Sequence, residues 1–380
     1  MKLYLVAGEA SGDARGAELM RSLRERSPGL EFCGAGGPEM RELGGPAIHD
    51  WTDQAVVGLW DVLKNYGYFR GQFHRMLAEI DAVKPDAVIF IDYPGFNLRL
   101  AHALRQRSPK CTRPRLVFYI SPQVWAWHRG RIPGMARDLD LMLCLFPFEE
   151  PLYQASGLKA VCVGHPLLDS LEAKKFSGAR LPDLVGLFPG SREKEVRRIF
   201  PVMALAAAVL RRDRPATRFE VAAATPALAE IMRHHLAAAH LDPALCTITI
   251  GNSRELMQRA TAGMVASGTA TLEAAFFGLP LVILYRVAWL TWFVGKRLVR
   301  VPFLGMPNIL AGREIAREFL QDAARPDVVA GEVRRLLDDS AARLQAERDL
   351  RGVIAQLGER GAAGRAAEAV LQELAGVSCK

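Results

Sequence analysis

The sequence predicts an α/β protein built from two doubly wound domains. Short apolar runs, typical of buried strands, alternate with longer helical patterns over almost all of the 380 residues. Such alternation favours βαβ units and parallel sheets. The series of strands begins again near residue 180, and hydrophobic residues make up 50% of the chain, enough for two cores. We therefore expect two sheets that face each other across a cleft and bind ligands at the carboxyl ends of their strands.

The strand pattern occurs in two series. The first consists of Leu3–Ala7, Glu31–Gly34, Ala87–Asp92, Arg115–Ile120, Leu141–Leu145 and Ala160–Val163. The second consists of Leu184–Phe188, Arg218–Ala222, Cys246–Ile250, Gly263–Ala266 and Leu281–Tyr285. The helical pattern fills the intervals, as in Gly12–Arg26, Phe69–Val83, Phe200–Arg212 and Ala227–His240. The segment 176–183, which contains Ser, Gly and Pro, is typical of a linker between the two series.

The net charge of +8 favours an anionic partner. Charge alone does not choose among nucleic acid, a phosphorylated ligand and an anionic membrane surface. The six cysteines form no C-x-x-C pair and the histidines no H-E-x-x-H motif, so neither a disulfide framework nor a metal site is indicated, and a reducing cytoplasm fits. No apolar run approaches the length of a membrane-spanning helix, so we expect a soluble or peripheral protein.

The loop Ser267-Gly268-Thr269, which joins a strand-like run to a helical run, is the strongest candidate for a ligand site. The N–H groups and partial positive charge of a helix N-terminus favour an anion, such as a nucleotide diphosphate. Glu273 lies four residues after Thr269 on the same helix face, where its carboxylate could accept hydrogen bonds from ribose hydroxyls. A tight turn with Ser267 or Thr269 as helix cap explains these residues equally well.

Two loops of the first domain also follow predicted strands. Glu9, Ser11 and Asp13 lie where the first strand passes into a helix, but without the G-x-G-x-x-G spacing of dinucleotide sites. Ser11 or Asp13 as helix cap is an equally good explanation. Asp92 ends a very apolar run. A carboxylate at the end of a buried strand can have a raised pKa, which suits a general base, although a helix cap remains open.

Three further groups of residues could contact a ligand. Arg192 follows the first strand of the second domain and would add a guanidinium to helix N–H groups as a second anion site, unless it is an ordinary surface arginine. Trp125 and Trp127 follow a predicted strand, together with Gln123. Large rings with polar groups commonly line ligand clefts, but core packing explains the two Trp equally well. Asn308 could hydrogen-bond a substrate or be a turn residue. His165 lies in the loop between the domains.

One stretch combines aromatic rings with cations and consists of Trp289, Trp292, Phe293, Lys296, Arg297 and Arg300. This pattern suits a membrane interface, with the rings in the headgroup region and the cations on anionic lipid. A weaker candidate of the same kind includes Trp51, Tyr68, Phe69 and Phe73. Core packing or an oligomer interface explains both stretches as well.

Seven motifs taken together resemble the lipid-A-disaccharide synthase family. They follow that family's order along nearly the whole chain. They are Gly8–Asp13, Ile91–Asn97, Ser121–Trp127, Gly164–Pro166, Pro189–Arg192, Ser267–Glu273 and Pro307–Glu314. Each motif alone is weak, whereas seven in register are specific.

The resemblance implies a GT-B glycosyltransferase with two Rossmann-like domains. The last helix is expected to return to the first domain. The first domain would then consist of residues 1–175 plus about 358–380, and the second of residues 183–357. The implied reaction transfers 2,3-diacylglucosamine from UDP-2,3-diacylglucosamine to 2,3-diacylglucosamine 1-phosphate (lipid X), with inversion. The products are the β(1→6) disaccharide 1-phosphate and UDP. The resemblance implies neither a metal nor another cofactor, and it implies that a homodimer with exchanged C-terminal domains can form.

The resemblance also implies roles for the residues singled out above. Asp92 would be the base for the acceptor 6-hydroxyl. The leaving UDP would be bound by Arg192, Ser267, Gly268, Thr269, Glu273 and Asn308. The acceptor side would be lined by Glu9, Ser11, Asp13, Gln123, Trp125 and Trp127. The aromatic and basic stretch 289–300 would hold the enzyme on the cytoplasmic face of the inner membrane.

Two alternatives remain open at this point. A UDP-GlcNAc 2-epimerase, or another UDP-GlcNAc-dependent GT-B enzyme, would share the architecture but act on soluble sugars. A peripheral membrane or nucleic-acid-binding protein would use the +8 charge without catalysis. The second alternative leaves Asp92 and Glu273 unexplained, and because no RNA-binding motif occurs, nucleic acid is not expected as a partner.

Overall fold

The chain divides into two compact units, residues 1–166 with 357–380 and residues 167–356. The structure is a computed structural model. It describes residues 1–51, 66–107, 113–127, 129–172, 174–175, 178–287 and 302–376.

A seven-stranded parallel sheet forms the centre of the first unit, in the order β3-β2-β1-β4-β5-β6-β7. Its strands are β1 (Lys2–Ala7), β2 (Glu31–Gly36), β3 (Ile48–Asp50), β4 (Ala87–Ile91), β5 (Arg115–Tyr119), β6 (Leu141–Cys144) and β7 (Ala160–Cys162). The helices are α1 (Ala10–Arg26), α2 (Pro38–Gly44), α3 (Tyr66–Val83), α4 (Pro94–Arg107), α5 (Val124–Trp127), α6 (Ile132–Asp138), α7 (Glu149–Gln154) and, at the end of the chain, α16 (Ala362–Ala375).

Strand β4 shows why this sheet is covered on both faces. All of its five residues are buried, and a parallel sheet with helices on each face needs such continuous apolar strands. Alternate residues belong to two cores: Ile89 packs on the α1 side and Phe90 on the opposite side. Ala366 and Val370 of α16 belong to the Ile89 core, so the last helix returns to the first unit.

The second unit has a six-stranded parallel sheet, in the order β10-β9-β8-β11-β12-β13. Its strands are β8 (Leu181–Phe188), β9 (Arg218–Ala223), β10 (Cys246–Ile250), β11 (Ala260–Ala266), β12 (Leu281–Tyr285) and β13 (Glu318–Leu320). Its helices are α8 (Leu167–Glu172), α9 (Glu193–Asp213), α10 (Pro226–Ala238), α11 (Ser253–Arg259), α12 (Thr269–Phe276), α13 (Met306–Ala311), α14 (Pro326–Asp338) and α15 (Ser340–Ala355). Contacts between α8 and α12 make Leu167 the first residue of this unit, whereas the sequence places its start at residue 183.

Both sheets reverse their direction of growth at one point. In the first unit that point lies between β1 and β4, and in the second between β8 and β11. Ligands of open α/β sheets bind beside the carboxyl ends of the two strands that flank this point. The predicted strands are confirmed. The structure adds the edge strands β3 and β13. Each has only three residues, which is too short for an apolar pattern to indicate a strand.

Candidate active site

A cavity of about 370 Å³ opens at the carboxyl ends of β8 and β11 in the second unit. Its lining brings together five residues that the sequence analysis selected for nucleotide binding: Arg192, Ser267, Gly268, Thr269 and Glu273. They come from two segments, Arg192 and 267–273, which are 75 or more positions apart in the chain. The parallel register of β8 with β11 places both segments at one edge of the sheet.

The start of α12 gives this cavity its anion-binding character. The carbonyl oxygen of Gly268 accepts hydrogen bonds from the backbone N–H of Thr271 (3.1 Å) and from its hydroxyl (2.7 Å), which closes the first turn. The N–H groups of Thr269 and Ala270 begin the helix and have no partner within it, since the first N–H groups of an α-helix never do. The Ser267 hydroxyl donates to the Leu304 carbonyl oxygen (3.2 Å), which ties the loop to the chain that follows.

Arg192 lies at the other wall of the cavity. It is the N-cap residue of α9, and its exposed side chain pairs with Glu195 at 3.3 Å. An exposed pair of this kind contributes only about 0–1 kcal/mol. A diphosphate can therefore replace Glu195 as the partner of the guanidinium at little cost.

Glu273 is held by an arginine that the sequence analysis did not single out. Its Oε1 accepts a hydrogen bond from Nη2 of Arg254 at 3.0 Å, and its side chain is only 15% exposed. Arg254 belongs to α11, a different helix, 19 positions earlier in the chain. No local pattern signals such a pair, because spacing predicts only neighbours on the same helix.

Asn308 does not present its amide to this cavity. It is fully buried, and its Nδ2 donates to the Ala316 carbonyl oxygen (2.7 Å) and to Glu318 (2.8 Å). Its Oδ1 accepts from the N–H groups of Ile315 and Ala316. All four hydrogen bonds of the amide are thus made within the protein. The expectation of direct contact with a nucleotide or sugar does not fit this geometry, since Asn308 instead closes the loop after α13.

Asp92 lies at the carboxyl end of β4, beside the reversal point of the first sheet. Asp92 and Tyr93 both have a φ of 49°, the left-handed region that residues with a side chain rarely adopt. Each costs about 1–3 kcal/mol and persists only where the surroundings hold it. Here the Asp92 N–H donates to the Tyr119 carbonyl oxygen (2.9 Å), and the fully buried Asn97 donates from Nδ2 to the Asp92 carbonyl oxygen (2.7 Å).

The Tyr93 ring fixes the other side of this turn. It lies so close to Gly8, at the end of β1, that a Cβ atom on Gly8 would overlap it. Its edge also faces Trp51, with ring centroids 6.2 Å apart. Trp51 is buried and donates from Nε1 to the Ala7 carbonyl oxygen (2.7 Å), so it packs in the core and does not face lipid.

The environment of Asp92 suits a general base. Burial raises its pKa to about 6, against a lowering by the hydrogen bond from the Tyr93 N–H, and the negative charge of Glu9 adds to the rise. A carboxylate of this kind is ionised at neutral pH yet basic enough to take a proton from a hydroxyl. Glu9 is the N-cap residue of α1, half-buried at the end of β1.

Ser11 and Asp13 occupy very different positions. Ser11 is exposed on the first turn of α1. Asp13 is buried, and its carboxylate accepts hydrogen bonds from the N–H groups of Gly37 (2.8 Å), Glu39 (2.9 Å) and Met40 (3.0 Å). The carboxylate therefore stabilises the start of α2, not α1, so neither residue caps its own helix. Both carboxylate oxygens of Asp13 thus accept hydrogen bonds from backbone N–H groups.

The Trp125 loop, which we define as residues 121–127 including the short helix α5, is held by a buried carboxylate. Glu149 accepts hydrogen bonds from the Ser121 hydroxyl (2.6 Å), from Nε1 of Trp125 (2.9 Å) and from the N–H groups of Leu145 and Phe146. Trp125 is buried, and its ring meets the exposed Phe148 edge-on. Gln123 is exposed in the same loop, whereas the side chain of Trp127 lies outside the described part of the structure.

His165 and the proposed membrane stretch complete the candidates. The His165 ring lies against Phe146, and burial together with the positive charge of Arg15 lowers the pKa of His165 to about 4, so the ring is neutral at physiological pH.

The six residues of the aromatic and basic stretch lie outside the described residues; they are Trp289, Trp292, Phe293, Lys296, Arg297 and Arg300. No helix in the described ranges has both the length and the apolar character needed to cross a bilayer.

Comparison with known proteins decides the family. The model of the lipid-A-disaccharide synthetase family matches residues 3–373. The chain belongs to this family. It is 39% identical over 378 residues to the lipid-A-disaccharide synthase of Trichlorobacter lovleyi, with 97% of each chain covered. It is 40% identical over 381 residues to that of Geobacter sulfurreducens, with 98% of this chain and 97% of the other covered.

Superposition on solved structures identifies the fold. A putative UDP-N-acetylglucosamine 2-epimerase from Listeria monocytogenes superimposes with a TM-score of 0.64 at 14% identity, covering 99% of this chain and 97% of that one. MurG of Acinetobacter baumannii gives a TM-score of 0.60 at 14% identity, covering 98% and 99%. Identities this low show the fold alone. The superpositions confirm the predicted GT-B architecture. Together with the family match, they identify the chain as a glycosyltransferase.

Proposed function

We propose that the protein transfers 2,3-diacylglucosamine from UDP-2,3-diacylglucosamine to the 6-hydroxyl of lipid X, with inversion at the anomeric carbon. One observation supports this proposal above all: in a chain of this family, each of the two sheets has a group suited to sugar transfer beside its reversal point. One presents a half-buried carboxylate with a raised pKa, and the other an anion cavity beside a second carboxylate. An inverting transfer needs both a base and a stabilised leaving diphosphate.

The second unit would hold the UDP. The N–H groups at the start of α12 and the guanidinium of Arg192 would accept the negative charge that develops on the leaving diphosphate. Glu273 lines the same cavity and would accept hydrogen bonds from the ribose hydroxyls. Fixed donors of this kind are more effective than water because they need no reorganisation during the reaction.

The first unit would hold the acceptor. Asp92 would take the proton of the 6-hydroxyl as its oxygen forms the new bond to the anomeric carbon, while the bond from that carbon to the diphosphate oxygen breaks. Glu9, Gln123, Trp125 and Trp127 are further candidates for contact with the acceptor. Ser11, exposed beside Glu9, could contribute a hydroxyl at the same edge.

Both substrates carry acyl chains, so the enzyme must meet a lipid surface. We propose a peripheral position on the cytoplasmic face of the inner membrane, with the stretch 289–300 as the contact. The net charge of +8 supports attraction to anionic lipid. A homodimer stays a proposal based on the family resemblance alone.

Mass spectrometry of the products tests the function. Purified protein is incubated in detergent with lipid X and either UDP-2,3-diacylglucosamine or UDP-GlcNAc, with and without EDTA. We expect a tetraacyl disaccharide phosphate and UDP from the acylated donor only. Folded protein that forms no disaccharide from either donor would contradict the proposal, and epimerisation of UDP-GlcNAc would favour the 2-epimerase alternative.

A further inference from the structure

Glu273 is one of three residues, with Gly251 and Ser253, that line two cavities of the second unit. The first is the nucleotide cavity of about 370 Å³. The second has a volume of about 830 Å³ and is lined in part by α11. Glu273 lines both cavities, whereas Arg254 lines only the larger one. The Arg254 guanidinium therefore contacts the Glu273 carboxylate from the side of the larger cavity, not from the nucleotide cavity.

The pair leaves part of the carboxylate available. Arg254 binds Oε1 of Glu273, so Oε2 can accept a hydrogen bond from a ligand. The helix that carries Arg254 is fixed by its own contacts, because the buried Leu256 and Met257 anchor α11 in the core. A charge-assisted hydrogen bond from a fixed helix restricts the rotamers of the glutamate, and the entropy cost of ordering that side chain is met before the ligand arrives.

We propose that Arg254 is a positioning residue that orients Glu273 towards the ribose hydroxyls and so determines how strongly the site distinguishes a ribose from a sugar without those hydroxyls. The inference rests on the proposed function, since it presupposes a nucleotide in the cavity. It adds a residue outside that cavity to the recognition of the donor. Arg254 acts on ribose only through Glu273 and makes no contact with the nucleotide itself.

Calorimetry with UDP and 2′,3′-dideoxy-UDP tests the proposal. Hydrogen bonds to a charged group contribute about 1.5–3 kcal/mol, so the wild-type protein should bind UDP about tenfold or more tightly than the dideoxy analogue. In Arg254→Gln we expect this ratio to fall to about two- or threefold, and Arg254→Lys should restore part of it, since a lysine keeps the charge but not the planar donor. The double variant with Glu273→Gln should lose no more than Glu273→Gln alone.

Arg335→Gln is the matched control. It removes the same charge from another Arg–Glu pair, with Glu332 on α14, and Arg335 lines neither cavity. Its ratio should equal that of the wild type. Thermal unfolding of each variant checks that it is folded.

Four outcomes separate the possibilities. A wild-type ratio that falls in Arg254→Gln but not in Arg335→Gln supports the proposal. Unchanged discrimination in a folded Arg254→Gln variant would overturn it, even if the overall affinity falls, because that pattern indicates direct contact with the nucleotide. Wild-type protein that binds neither compound would contradict the proposed function itself, whereas binding of both with equal affinity would contradict only the ribose assignment and this inference.

Discussion

The side-chain amide of Asn97 donates a 2.7 Å hydrogen bond to the backbone carbonyl oxygen of Asp92. This bond holds a turn in which Asp92 and Tyr93 both adopt left-handed backbone angles. The orientation of the proposed base thus depends on a buried residue five positions later in the chain. Strain of this kind is retained only where neighbouring contacts enforce it.

Replacement of Asn97 by alanine should therefore reduce catalysis more than nucleotide binding. Without the amide, the turn can relax to ordinary backbone angles and move the Asp92 carboxylate. We expect kcat to fall at least tenfold, and the free energy of unfolding to fall by about 1–3 kcal/mol because a partly buried carbonyl oxygen loses its donor. The affinity for UDP should stay within about twofold of wild type, since the nucleotide cavity lies in the other unit. Weakened UDP binding with normal kcat would argue against this role.

Two glycines beside the same turn should respond differently to alanine. A methyl group on Gly8 would overlap the Tyr93 ring and displace the turn, whereas a Cβ atom on Gly95 meets no atom within 4 Å. Gly8→Ala should lower kcat at least tenfold. Gly95→Ala should leave it within about twofold, as the first turn of a helix favours alanine over glycine. Equal kcat values for the two folded variants would count against packing of Tyr93 as the reason for the turn.

The pKa of Asp92 predicts the acid limb of the pH profile. A base must be ionised, so kcat/KM should rise with pH through about 6 and then level off. The apparent pKa should be lower in a Glu9→Gln variant, because the negative charge of Glu9 contributes to the rise. Rates at low substrate concentration between pH 4.5 and 8, where the rate is proportional to kcat/KM, measure both values. A profile that is flat across this range would remove Asp92 as the titrating group.

The same shift predicts a pH-dependent stability effect. The folded protein binds the proton of Asp92 more tightly than the unfolded chain does, whose pKa is close to 3.8. The stability contributed by this group is therefore present at low pH and decreases as the pH rises from about 4 through about 6. Asp92→Asn removes the ionisation, so its melting temperature relative to wild type should be higher at pH 7.5 than at pH 4.5. The opposite trend would show that the ionised form is the stabilised one.

Asn308 distinguishes a structural role from a binding role. Its alanine variant leaves two backbone N–H groups and two acceptors without their partner, at a cost of about 2–4 kcal/mol in the free energy of unfolding. Denaturant unfolding should show this loss. UDP affinity below the unfolding transition should change little, and a large loss of affinity at normal stability would restore the role that the sequence first suggested.

Position along a strand was the part of the site that sequence could predict well. Asp92 and Ser267–Thr269 each follow an apolar run, and each lies at the carboxyl end of a strand beside the reversal point of its own sheet. Orientation and partners were not predictable in this way. Asp13 and Asn308 occur in family motifs, yet both side chains are bonded to the protein's own backbone.

The other contacts that the sequence did not predict join residues that are distant in the chain. Glu149 is bonded to Ser121 and Trp125, 28 and 24 positions earlier, and Arg254 pairs with a residue on another helix. Composition and spacing describe only near neighbours, so these contacts needed the fold. The short strands β3 and β13 were missed for a related reason, because three residues give no measurable period.

The central claim is that Asp92 removes the proton of the acceptor hydroxyl. The most direct test is single-turnover transfer to lipid X by Asp92→Asn, with UDP calorimetry on the same preparation. We predict a rate about a hundredfold to ten-thousandfold below wild type, the usual contribution of a general base, together with unchanged UDP affinity. A folded Asp92→Asn variant with a near-normal rate would contradict the claim.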